Sequence, residues 1–253
     1  MNALKRLEKF YFDFGGEKGI LGYSGEKRPI YYFAVKKTAY PVIIAQYAIH
    51  AREYVTTFLA LMQIEDFCMR GKRGSVYFIP AANPDGINIA LTVNPLYKAN
   101  AFGVDLNVNF DAEWGKGVKN VRFRGAENFI GEKPFSESET AALRDFTLKV
   151  KPNATISYHT KGEEIYYYFN QSGNALYRDK AIAEKLAAAT GYALKTPKGS
   201  VGGYKDWCIE KLKIPAFTIE AGADSLSHPI GEEFAKDIFE KNKDVLNILT
   251  ESL

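Results

Sequence analysis

Val42-Ile43-Ile44-Ala45-Gln46-Tyr47-Ala48-Ile49-His50-Ala51-Arg52-Glu53 is the stretch on which the reading of this chain turns. Its first eight residues are apolar apart from Gln46 and show no polar alternation, the pattern of a strand buried on both faces, as in parallel sheets. A histidine ends the run and a glutamate follows three residues on. Beyond them Val55, Phe58, Leu59 and Met62 repeat at i, i+3, i+4 and i+7, the spacing of an amphipathic helix. A strand end feeding a helix start sets His50 and Glu53 one turn apart, so an imidazole and a carboxylate can converge on one ion from one side.

Outward from this stretch the same grammar repeats. Residues 30–35, 75–79, 154–158, 164–169 and 216–219 are short apolar or aromatic runs that read as strands. Residues 136–150 read as a helix opened by Ser136 and Glu139 as a capping box, and residues 177–190 and 232–249 as two more helices. This alternation predicts an α/β fold: one domain over residues 1–253, with a mixed, mostly parallel twisted sheet covered by helices on both faces. Asn83-Pro84-Asp85-Gly86, Gly115-Lys116-Gly117 and residues 197–203 are expected as loops, where binding residues tend to sit.

The bulk composition narrows the function classes. With 253 residues, 46% hydrophobic and 14% aromatic, the chain can bury one large core. Its 33 Lys and Arg stand against 30 Asp and Glu for a net charge of +3, and no like-charge run suggests an arm for nucleic acid. Residues 1–14 carry charges every few positions and lack a continuous apolar segment, so neither a signal peptide nor a membrane span is expected, and the chain is placed in the cytoplasm. The two cysteines, Cys68 and Cys208, are expected as reduced, buried thiols, with a pairing between them left open.

Only three histidines occur, and two of them end apolar runs. His159 follows residues 154–158, and parallel neighbouring strands deliver their carboxyl ends to one rim of a sheet. Two histidines and a glutamate leave zinc an open coordination position, the catalytic rather than the structural pattern. A lone histidine is more often an ordinary hydrogen-bonded group, and His-x-x-Glu alone is weak. Asp105 adds a carboxylate able to orient a liganding imidazole from behind. His228, before Pro229, is read as structural.

Taken in order, His50-Ala51-Arg52-Glu53, Asn83-Pro84-Asp85-Gly86, Gly103-Val104-Asp105-Leu106-Asn107, Tyr158-His159 and Thr218-Ile219-Glu220 resemble the motifs of the zinc metallocarboxypeptidases of the carboxypeptidase A and B type. The resemblance implies one zinc per chain held by His50, Glu53 and His159, with Glu220 as general base at the end of its strand. It implies that Lys98 stands where the family has an oxyanion-stabilising arginine, that Arg52 points into the cleft toward substrate, and that Asn107 holds a carboxylate on the leaving side. Lys205 matches the position at the base of the pocket for the residue after the scissile bond. Within the family, Ser157-Tyr158-His159-Thr160-Lys161-Gly162-Glu163-Glu164-Ile165-Tyr166, Gly202-Gly203-Tyr204-Lys205-Asp206-Trp207 and Lys98-Ala99-Asn100 are most similar to the bacterial γ-D-glutamyl-meso-diaminopimelate peptidases, which implies a murein-derived peptide substrate.

Two positions depart from the family. Asn107 is followed by Val108 where an arginine usually grips a C-terminal carboxylate, which puts ordinary exopeptidase action in doubt. Lys198 falls near the place of a mobile tyrosine and is given no role. A zinc deacylase of the aspartoacylase type shares His-x-x-Glu, and assay on N-acyl amino acids against murein peptides separates the two. A catalytically dead module that only holds wall peptides is the other alternative, decided by metal analysis with a hydrolysis assay.

Overall fold

The apolar runs form the middle of an eight-stranded sheet in the computed structural model, which describes residues 1–124, 127–196 and 199–253. The strands are β1 (Glu17–Tyr23), β2 (Pro29–Lys36), β3 (Val42–Tyr47), β4 (Ser75–Ile79), β5 (Ala154–His159), β6 (Glu164–Tyr166), β7 (Ala193–Lys195) and β8 (Ala216–Glu220), in the order β1-β2-β4-β3-β5-β8-β6-β7. Neighbours from β4 through β3 and β5 to β8 run parallel, as do β6 and β7. The pairs β1–β2, β2–β4 and β6–β8 are antiparallel, so the sheet is mixed with a parallel centre.

Eight helices are described: α1 (Ala3–Asp13), α2 (Val55–Arg70), α3 (Pro84–Thr92), α4 (Ser138–Val150), α5 (Gly173–Thr190), α6 (Tyr204–Trp207), α7 (Ala235–Asn242) and α8 (Val245–Glu251). Side chains alternate across a strand. Ile43, Ala45 and Tyr47 of β3, Ile156 and Tyr158 of β5, and Phe217 and Ile219 of β8 therefore share one core with α1, α2, α5, α7 and α8. Ile44 and Ala216 face the opposite core, where Leu143 and Phe146 of α4 pack with Tyr204 and Trp207 of α6. Helices thus cover both faces, as the alternation predicts. None of the described helices is long and apolar enough to cross a membrane.

Several elements differ from the expectation, each for a local reason. The strand read over residues 164–169 stops at Tyr166, because the Tyr168 carbonyl is taken by Lys205 Nζ and the Phe169 amide by the Gln171 side chain. The long final helix is split into a 3-10 turn, α7 and α8: Gln63 Nε2 takes the Asn242 carbonyl and Arg70 Nη2 the Lys243 carbonyl. The capping box is not formed; α4 starts at Ser138 after Glu137, Ser136 Oγ donates to Glu137 Oε1, and Glu139 Oε1 instead accepts from the Gly25 amide. Asn83-Pro84-Asp85-Gly86 is the start of α3, with Asn83 Oδ1 accepting from the Gly86 amide as N-cap. Cys208 is buried as expected but Cys68 is exposed; both thiols are free.

Candidate active site

Three buried side chains converge at the carboxyl end of the parallel strands. After β3, Ala48 adopts a positive φ of 50° and turns the chain so that His50 caps the 3-10 turn Ala51–Glu53. That turn brings Glu53 Oε1 to 2.9 Å from His50 Nδ1. β5 lies beside β3, and His159 at its last position reaches in with Nδ1 at 3.0 Å from Glu53 Oε2 and 3.2 Å from His50 Nδ1. A tetrahedral zinc with bonds of about 2.0–2.1 Å needs ligand atoms roughly 3.3 Å apart. Two imidazole nitrogens and one carboxylate oxygen at these separations are compatible with such a site.

Asp105 sets the tautomer. Its Oδ1 lies 3.2 Å from His50 Nε2, so in the neutral imidazole that a metal requires, Nε2 carries the hydrogen and Nδ1 keeps a lone pair toward His159 and Glu53. Asp105 Oδ2 is 2.7 Å from Lys98 Nζ, which also donates to Asn128 Oδ1 at 2.9 Å. The Ala51 amide donates to the Lys98 carbonyl at 3.0 Å, and buried Asn83 donates from Nδ2 to the carbonyls of Ile49 and Ala99. One hydrogen-bonded frame therefore holds the His50 turn, the Lys98 loop and α3 together.

The charges follow from this packing. Burial works against an imidazolium at His50, but the carboxylates of Glu53 and Asp105 prevail and push it up to about 9. Burial dominates at His159, whose pKa goes down. Glu53 is held well below the usual carboxylate range by the two imidazoles against its own burial, and Asp105 likewise by Lys98 and His50.

Glu220 stands one strand further on, directly opposite His159 in the β5–β8 register. Burial first, then the charge of Glu53, push its carboxyl up to about 8. It forms a wall common to two cavities. One, of about 300 Å³, is also lined by His50, Lys98, Asp105, Val108 and Asn128. The other, of about 460 Å³, is lined by Glu164, Tyr166, Lys195, Gly203, Lys205 and Asp206, and Asn107 borders both. Gly202, at φ 84°, lies so close to Val108 that an added Cβ would meet its carbonyl oxygen at 3.1 Å, which packs the Gly-Gly segment against Asn107-Val108. Asn107 Oδ1 accepts from the Tyr204 amide at 3.3 Å, leaving its amide hydrogens to other partners.

A match to the zinc carboxypeptidase family spans residues 17–235. The chain belongs to that family. Its fold matches bovine thrombin-activatable fibrinolysis inhibitor with a TM-score of 0.85 at 21% identity, over 98% of this chain and 93% of that one. The γ-D-glutamyl-L-diamino acid endopeptidase 1 of Lysinibacillus sphaericus is 28% identical over 219 residues, 72% of this chain and 55% of the relative. Murein peptide amidase A of Escherichia coli strain K12 is 30% identical over 151 residues, 57% of each chain. The chain thus spans little more than half the length of these two curated relatives.

Of the residues singled out in the sequence, His50, Glu53, His159, Asp105, Lys98, Asn107 and Glu220 come together, and Lys205 lies at the neighbouring cavity. Lys205 is buried rather than superficial, donating to the Tyr168 carbonyl and to Asp206 Oδ1, with its ammonium 5.5 Å from the Phe169 ring centre. Arg52 lines neither cavity; its guanidinium lies 3.5 Å from the Leu96 carbonyl and from Glu127. Lys198 lies outside the described residues. Sequence reading gave no role to Glu164, Tyr166, Lys195 or Asn128, because only strand register and loop packing bring them to the cleft.

Proposed function

We propose that this chain is a zinc metallopeptidase that hydrolyses the γ-D-glutamyl-meso-diaminopimelate bond of murein stem peptides. His50, Glu53 and His159 hold one zinc, which when bound supplies a Lewis acid that polarises the scissile carbonyl and lowers the pKa of water. Glu220 accepts the proton of the attacking water and returns it to the leaving amine. Lys98 donates to Asn128 Oδ1 and is ion-paired with Asp105, and directs a remaining N–H to the carbonyl oxygen as charge develops there. Asn107 holds the carboxylate next to the new amine.

The observation that carries the substrate assignment is Lys205, a buried ammonium lining a cavity that shares Glu220 with the zinc residues. An ammonium there favours a side chain ending in a carboxylate, which diaminopimelate has and lysine lacks. The relatives named for murein peptides and γ-D-glutamyl diamino acids support the same class. Asp206 offsets part of the Lys205 charge, so the preference is expected at about 1–2 kcal/mol, the low side of a charge-assisted hydrogen bond.

Incubation of the zinc-loaded protein with L-Ala-γ-D-Glu-meso-diaminopimelate, read by mass spectrometry, tests the reading. L-Ala-D-Glu and free diaminopimelate are expected, and Lys205→Ala should lose most of the preference over the lysine-containing peptide. Release of L-alanine, or no product from the wild type, would count against it.

A further inference from the structure

Glu164 is unexplained by the zinc residues and the general base. The β6–β8 register sets it directly across from Glu220, and like charges in that position destabilise an antiparallel pair. Because side chains alternate, Ile165 faces the core with Ile219, while Glu164 and Tyr166 share a face with Glu220 and Thr218 and line the 460 Å³ cavity. Two contacts moderate the Glu164 charge. Tyr166 donates its hydroxyl to Oε2 at 2.5 Å, and Lys195 Nζ lies 3.4 Å from Oε1 with its own side chain 49% exposed. An exposed lysine compensates weakly. A carboxylate has about four acceptor positions, so Glu164 retains capacity for another donor.

The same cavity carries the opposite charge at Lys205, which is buried and has one N–H left after Tyr168 and Asp206. A cavity offering both a buried cation and a partly buried anion suits an end group that is itself a zwitterion. The far end of diaminopimelate is such a group, with an ammonium and a carboxylate on one carbon.

We infer that Glu164 is a specificity residue that accepts the far ammonium of diaminopimelate while Lys205 takes the far carboxylate. This rests on the proposed function and extends it: the cavity selects a free amino-acid end rather than an acidic one. Stem peptides whose far amine is acylated, as in a cross-link, are then poor substrates.

The test compares kcat/KM for three stem peptides, ending in meso-diaminopimelate, in 2-aminopimelate, which keeps the far carboxylate but lacks the amine, and in lysine. Wild type should prefer diaminopimelate over 2-aminopimelate by about 10–100-fold, the size of one charge-assisted bond. Glu164→Gln should lose that preference, through a KM that rises for the diaminopimelate peptide and not for the 2-aminopimelate peptide. Equal wild-type rates on those two peptides overturn the inference without needing any variant to fold. A Glu164→Gln protein slowed alike on both, with its pH profile displaced, also overturns it, since Glu164 then acts on Glu220 rather than on substrate. Cleavage of none of the three peptides by the wild type overturns the proposed function, and this inference with it.

Discussion

Burial and the neighbouring charge of Glu53 push Glu220 up to about 8, from 4.5 for a free glutamate. Below pH 4.5 both folded and unfolded chains carry the proton and nothing is lost. As the pH rises toward 8 the unfolded chain ionises freely while the folded one resists, so stability falls. In chelator-treated protein, Glu220→Gln should therefore be more stable than wild type by about 1–3 kcal/mol at pH 8.5, with the gain vanishing near pH 4.5, measured by urea unfolding. An equal gain at both pH values would mean that the carboxyl is not perturbed. The same variant should keep its zinc and lose about 100–10,000-fold in turnover if Glu220 is the base. Val108 carries a second prediction. Valine cannot form the bidentate bond of a guanidinium to a terminal carboxylate, so hydrolysis of hippuryl-phenylalanine should be slow; rapid turnover would show that another group anchors that carboxylate.

At the level of elements, the frame that holds the metal motif depends on Asn83. Asn83→Ala removes the N-cap of α3 and the amide bonds to Ile49 and Ala99 at once, leaving buried carbonyls unpaired. A loss of about 2–4 kcal/mol is expected in denaturant unfolding, together with weaker zinc binding. A stability loss with unchanged zinc affinity would separate α3 from the site. The central strands were legible because apolar runs without alternation, such as residues 42–47 and 154–158, have few other readings. The final helix was not, because its break comes from Gln63 and Arg70, far away in sequence. α1 was overlooked although Ala3, Leu7 and Phe10 have helical spacing, since charges in every turn masked the stripe. β1 is an edge strand with no buried residue, so it left little apolar signal.

Over the whole molecule, the sheet assembles a site from segments far apart in the sequence, with His159 and Glu220 at the carboxyl ends of β5 and β8 and His50 just beyond that of β3. The two histidines that cluster with Glu53 were legible as the ends of apolar runs. Their mutual distances, the Asp105–Lys98 pair behind His50 and the Glu164–Glu220 register were not, because they depend on which strands become neighbours. The proposed zinc peptidase rests on His50, Glu53 and His159 together holding the zinc. Its most direct test is zinc content after reconstitution and dialysis, by elemental analysis of wild type, His50→Ala and His159→Ala. About one zinc per wild-type chain and severe loss in both variants are expected, since two remaining ligands hold the ion poorly. Full zinc occupancy in both variants would contradict it.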